Sequence, residues 1–350
     1  MVFPNHVLLG AASIIPAADH MMVSSISPVV LPYPERVVDM ELRVTAPLDG
    51  DDLPVVIVSH GQGNSNWLSS IAGYEPLYNY WAGQGFVVIQ PTHLGSATYG
   101  LQAPPGQEYF WEARCEDIIW ILDHLDEIQE AVPSVKGRLD TDNIAIAGHS
   151  MGGWTASMIL GAQNSSPLGN GTVTKYRDTR IKAGVVLAGT GKGGEDLSEQ
   201  GRQMVPSYNP DFSTMETPAL VVYGDSDLSP YLTVRGADWH GDAYYLAPGP
   251  KDLFIVRGGK HSLGGVGGWD ALETEDESPE RLASVQRATS AYLRTALYGD
   301  DSWQKARAAL QVVLGNKPWL VGEDQTKCPD DASLLGLIAD LTPYLDKKCR

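Results

Sequence analysis

Apolar residues recur along the chain in short runs, separated by longer stretches in which they fall three and four positions apart. Val55-Val56-Ile57-Val58-Ser59, Phe86-Val87-Val88-Ile89-Gln90 and Asn143-Ile144-Ala145-Ile146-Ala147 are such runs. They predict strands buried in the middle of a sheet. Further strands are expected at Ile181 to Leu187, Leu220 to Tyr223 and Leu253 to Val256, and Arg36 to Thr45 alternates as a strand with one wet face. Between them, Trp67 to Gly83 and Glu108 to Glu130 have helical spacing, the second with Ile118, Ile121, Leu122, Leu125 and Ile128 on one face. A shorter helix is expected from Trp154 to Gly161. The last core helix opens at Ser278-Pro279, a capping residue followed by a first-turn proline, and turns Leu282, Val285, Tyr292 and Leu293 inward. Strand and helix in alternation predict an α/β fold, a mostly parallel central sheet flanked by helices.

Two stretches interrupt that rhythm. Gln163 to Asp178 and Thr190 to Thr217 are rich in Gly, Ser, Asn and Pro, as expected either of loop insertions over a functional site or of surface insertions. The first 35 residues are irregular and punctuated by proline, and a helix at Ala332 to Leu341 belongs to a C-terminal extension over residues 316–350.

Composition narrows the classes. A chain of 350 residues, 43% of them hydrophobic, can bury one large core with insertions. No run approaches the ~20 apolar residues of a membrane span. The net charge of −18 excludes nucleic acid as a partner, because phosphates require a basic surface. The acid-rich stretches Asp49 to Asp52 and Asp270 to Glu280 predict solvated loops. Val7 to Ala17 is apolar, but the first basic residue is Arg36, so the charged start of a secretory signal is missing and the cytoplasm is favoured over secretion. Cys115 falls in a helical pattern as a core thiol; Cys328 and Cys349 bracket the last helical segment and either pair or remain free. Nothing in the pattern sets an oligomeric state.

The candidate chemistry begins at Gly148-His149-Ser150-Met151-Gly152-Gly153. A G-x-S-x-G motif alone is weak, but this one follows a buried strand and precedes a helix, the setting in which glycines permit a tight turn that exposes the serine. A serine hydroxyl needs a base, and the base needs a group that holds its tautomer. Asp227 is the candidate acid, in Gly224-Asp225-Ser226-Asp227 after a predicted strand; Asp225 is the runner-up, with capping of the same turn as its structural role. His261 is the candidate base, in a glycine-rich loop just past the strand ending at Val256, whereas His240 sits in a polar stretch with no strand between it and the acid. Oxyanion donors are expected at the backbone N–H groups of Met151 and of Gln62, the latter in His60-Gly61-Gln62-Gly63 after another strand. His60 and His149 fit scaffold roles. Trp154 and Trp67 are candidates for a substrate pocket, with Trp111, Trp239 and Trp269 also near motifs or loops; core or rim positions are the alternative for each. This chemistry needs no metal or organic cofactor.

These motifs together resemble the α/β-hydrolase superfamily over about Arg36 to Tyr298. Within it, Pro91-Thr92-His93-Leu94-Gly95-Ser96 and Arg114-Cys115-Glu116-Asp117-Ile118 resemble the esterases grouped with platelet-activating-factor acetylhydrolases, chlorophyllases and dienelactone hydrolases. The chain departs from that group at Ser150, where dienelactone hydrolases have cysteine, and at Met151, where chlorophyllases usually have arginine. The resemblance implies an α/β-hydrolase catalytic domain over residues 36–315. It implies cleavage of a small-molecule or lipid-like carboxylic ester through an acyl-enzyme. Amide, thioester or polyester cleavage by the same machinery is one alternative, and a non-catalytic binding protein of the same fold is another.

Overall fold

The computed structural model describes residues 7–169, 171–268, 270–314 and 322–327. Its strands, in chain order, are β1 (Val23–Leu31), β2 (Met40–Pro47), β3 (Leu53–Ser59), β4 (Val87–Pro91), β5 (Leu139–His149), β6 (Gln163–Ser165), β7 (Val173–Lys175), β8 (Ile181–Leu187), β9 (Pro210–Asp211), β10 (Ala219–Gly224), β11 (Lys251–Val256) and β12 (Gly322–Lys327). Nine of them form one sheet in the order β1-β2-β4-β3-β5-β8-β10-β11-β12. The six strands from β4 to β11 run parallel, and β2 and β12 join them antiparallel. This is the α/β architecture expected from the alternating pattern.

Continuous apolar runs suit the interior strands because both faces of the sheet are covered. In β3 every residue is buried: Val55 and Ile57 face one core with Ile118, Ile121 and Trp154, while Val56 and Val58 face the other with Trp81, Val285 and Leu293. The helix Pro279–Tyr298 starts where expected. Ser278 Oγ accepts from the Arg281 N–H, and Leu282, Val285, Tyr292 and Leu293 are all buried.

Several boundaries differ from the sequence expectation. The N-terminal segment is not wholly irregular: β1 pairs antiparallel with β2 through residues such as Val29 and Leu42. Its pattern is faint because it is an edge strand with a register shift between Ile26 and Val29, the position of Pro28, which has no N–H to give a ladder. The strand expected from Arg36 instead begins at Met40. The long helix expected from Trp67 is two pieces, Asn66–Ser69 and Glu75–Gly83, because the chain folds back at Gly73, where a Cβ would lie 1.4 Å from the Trp67 carbonyl oxygen. The helix expected from Glu108 to Glu130 begins only at Trp111, after left-handed Tyr109 and Phe110, and breaks at His124. Cys115 is a buried free thiol inside it, and burial pushes that thiol well above its ordinary pKa.

Of the two Gly/Ser/Asn/Pro-rich stretches, the first supplies β6 and β7, which form a small antiparallel sheet with β9. The second carries β9 and brings Thr190, Leu197, Met204, Val205 and Tyr208 to a cavity beside Ser150. No described helix is long and apolar enough to cross a membrane. Cys328, Cys349, Trp269 and the helix expected at Ala332 to Leu341 lie outside the described residues.

Candidate active site

Parallel register places the ends of β3, β5, β8, β10 and β11 on one edge of the sheet, pairing Ser59 with Gly148, His149 with Leu187, and Gly224 with Val256. In open α/β sheets, ligands bind at this carboxyl edge. Ser150 follows β5 directly, with φ 55 and ψ −119, at the cap position of the helix Met151–Ile159. Such a backbone is strained for a non-glycine residue and persists only when its surroundings enforce it. Here a hydrogen bond from the Ser150 N–H to the Leu187 carbonyl ties the turn to β8. The neighbouring glycines are sterically required: a Cβ on Gly148 would lie 1.9 Å from the Gly152 oxygen, and one on Gly152 would lie 2.0 Å from the Ser59 oxygen.

The structure brings the three candidate side chains into one hydrogen-bonded chain. His261 Nε2 is 2.8 Å from Ser150 Oγ, and His261 Nδ1 is 2.9 Å from Asp227 Oδ2. Donation from Nδ1 to the carboxylate leaves Nε2 as acceptor for the serine proton, the tautomer in which imidazole can act as a base. Burial pulls the His261 pKa down, but the charge and hydrogen bond of Asp227, joined by Asp276, more than offset it and leave it raised. For Asp227, burial pushes upward and is outweighed by His261 and His240, which hold the carboxyl far below its ordinary range.

His240, passed over as the base, nevertheless lies against the candidate acid. Its Nε2 is 3.3 Å from Asp227 Oδ2, the oxygen that His261 also contacts, and its Nδ1 donates to the Gly189 carbonyl at 2.8 Å. The short 3₁₀ turn Ala237–Gly241 folds it back without an intervening strand, so strand order carried no signal for it. Asp225 takes its structural role: Oδ1 accepts from the Gly258 N–H at 2.7 Å and from Ser226 Oγ at 3.0 Å, bracing the loop. Asp227, His240 and His261 bring three potential metal-ligand atoms within 4.8 Å of one another.

Ser150, Met151 and Gln62 line one cavity of about 120 Å³. Met151 is the first residue of its helix, so its N–H has no intrahelical partner. The Gln62 side chain donates to the Gly95 carbonyl at 2.8 Å and accepts from Arg114 at 2.9 Å. Trp154 also lines the cavity, stacked on Trp111 at 5.0 Å and edge-on to Tyr208 at 4.6 Å. Trp67 does not: it is 40% exposed and lines a separate groove with His20, Tyr80 and Gln286. Trp239, named only as lying near a loop, does line the cavity, as do Thr190, Leu197, Met204, Val205 and Tyr208 from the second insertion. That insertion therefore lines this site; no described residue of the first lines the cavity.

No family model matches the chain. Two curated relatives, dipeptidyl-peptidase 5 from two strains of Aspergillus fumigatus, are each 26% identical to it over 191 residues, which cover 50% of this chain and 24% of theirs. The chain thus spans about a quarter of the length of the curated relatives it matches. Fold and match together fit a hydrolase-fold superfamily.

Proposed function

We propose that the protein is a serine hydrolase that cleaves carboxylic esters through an acyl-enzyme. The observation that carries this reading is the 2.8 Å contact of Ser150 Oγ with His261 Nε2 at a strained turn beside a cavity. Ser150 attacks the carbonyl as His261 takes its proton; Asp227 orients His261 and stabilises the imidazolium that forms. The N–H groups of Met151 and Gln62 receive the developing oxyanion, and His261 returns the proton to the leaving group. Water then repeats the sequence on the acyl-enzyme.

The cavity favours an uncharged acyl group, since none of its lining residues carries a formal charge. Its aromatic and aliphatic wall suits a short aliphatic or an aromatic acyl chain. The narrower resemblance to the acetylhydrolase and chlorophyllase group supports the ester reading. Peptide or amide cleavage is the second reading, favoured by the match to dipeptidyl-peptidase 5.

The test is hydrolysis of p-nitrophenyl esters of increasing acyl length, beside aminoacyl and dipeptidyl p-nitroanilides, by wild type and Ser150→Ala. Ester turnover lost in the variant supports the reading; anilide turnover without ester turnover replaces it with the peptidase reading, and no Ser150-dependent turnover of either overturns both. Asp227→Asn is expected to remove most activity and Asp225→Asn to leave most of it; the reverse result would reassign the acid.

A further inference from the structure

Behind the Gln62 loop lies a fully buried cation, Arg114, and among the described residues no carboxylate is in ion-pair contact with it. The nearby Asp117 is engaged by Arg36 at 3.0 Å and His93 at 2.8 Å. Arg114 instead spends its hydrogen bonds on the loop: Nη1 donates to the His60 carbonyl at 2.8 Å, and Nη2 donates to the Gly61 carbonyl at 3.2 Å and to Gln62 Oε1 at 2.9 Å. His60 converges on the same atom. Its Nε2 accepts from the His93 N–H at 3.0 Å, which leaves the ring proton on Nδ1, and Nδ1 donates to the Gly61 carbonyl at 2.7 Å. That carbonyl and the Gln62 N–H are two ends of one peptide group.

We propose that Arg114 and His60 are positioning residues that polarise the Gly61–Gln62 peptide and so strengthen its N–H as an oxyanion donor. This rests on the assignment of the Gln62 N–H to the oxyanion. Donors on a carbonyl oxygen draw electron density along the conjugated amide, raise C–N double-bond character and make the distal N–H a better donor. A buried charge acts strongly over this distance because little solvent screens it. Burial lowers the Arg114 pKa only to about 10, so the cation persists in neutral solution. The neutral form of His60 is enforced by burial and by the neighbouring Arg114, which hold its pKa well below the ordinary imidazole value. The Arg-x-x-Asp pattern at Arg114 and Asp117 thereby acquires a division of labour: Asp117 binds Arg36 and His93 and supports the Arg114 charge from nearby, while the hydrogen bonds of Arg114 go to the loop.

The test is Arg114→Lys and Arg114→Gln, with competent sites counted by a fluorophosphonate that labels Ser150. Per labelled site, kcat is expected to fall roughly tenfold in Arg114→Gln, less than the ~10²–10³ lost with a whole donor, with KM little changed. The carbonyl stretch of a slowly hydrolysed, 13C-labelled acyl-enzyme is expected to rise in both variants, a shift that loosened packing alone would not produce while the serine stays fully titratable. An unchanged stretch and unchanged kcat per site overturn the proposal. If the wild-type stretch is not lowered relative to the free ester, the oxyanion assignment itself fails. Should neither variant fold, the unsubstituted protein still decides: the one-bond 15N–13C coupling across Gly61–Gln62 is expected above the mean for the chain's peptides, and a value at or below that mean overturns the proposal.

Discussion

His240 Nε2 lies 3.3 Å from Asp227 Oδ2, the oxygen that also holds His261 Nδ1 at 2.9 Å. A carboxylate only 1% exposed needs donors on its oxygens; His261 Nδ1 supplies one, and His240 Nε2 packs against the same oxygen. Substituting His240 by Phe leaves the charge of Asp227 to His261 alone, which holds the imidazolium more tightly. We expect kcat to fall by roughly tenfold, less than the ~10²–10⁴ of a direct acid–base contribution because His240 acts through Asp227, and the acid limb of the pH–rate profile to move upward. The other groups facing His261, namely His149, Asp276 and Ser150, are untouched by the change. A drop in kcat with an unmoved acid limb would reduce His240 to a packing role.

The sign of the pH dependence follows from His261. In the proposed mechanism it must be neutral to accept the serine proton, and its pKa is raised in the folded protein. Activity is therefore lost as pH falls through that raised value, so the acid limb of kcat/KM should lie above the ordinary imidazole pKa. In Asp227→Asn the supporting charge is gone, burial is left unopposed by it, and the limb should move down. A pH–rate series on the two proteins checks both statements.

Gly152→Ala should cost stability as well as activity. The added methyl would meet the Ser59 carbonyl at 2.0 Å, backbone against backbone, with no flexible side chain to yield. The cost is expected at the upper end of overpacking penalties, about 3 kcal/mol or more, read from denaturant unfolding. A variant of wild-type stability would mean that the helix beneath Ser150 shifts freely.

Trp154 walls the cavity, and its indole N–H is buried without a partner among the described residues. Trp154→Ala should open room for longer acyl groups and move the optimum of an ester series by about two or more carbons, each buried methylene being worth ~0.8 kcal/mol. Trp154→Phe should leave that optimum near wild type. Equal acyl-length profiles for all three proteins would place the acyl group elsewhere.

The strand–helix alternation, the turn at Ser150 and the order of serine, acid and histidine were legible along the chain because each is a local signal. Buried strands in a parallel sheet must be apolar at every position, as β3 is, and a tight turn between strand and helix must have glycine where backbones touch, as at Gly148 and Gly152. Edge strand β1 was not legible, since half its surface is wet and Pro28 interrupts its pattern. The helix breaks at Gly73 and His124 were hidden for a related reason: helical spacing continues through residues whose direction is set by what they pack against.

What remained for the tertiary structure concerns side chains that meet from distant elements. Trp67 and Trp154 carry equal weight as letters beside motifs, yet only Trp154 lines the cavity. The sequence by itself determined the fold class and named Ser150, Asp227 and His261, because periodicity and chain order encode topology. Only the folded chain decided that His240 shares the acid and that Arg114 and His60 converge on one carbonyl. Burial and hydrogen-bond geometry depend on three-dimensional neighbours, and residue spacing along a chain does not encode these.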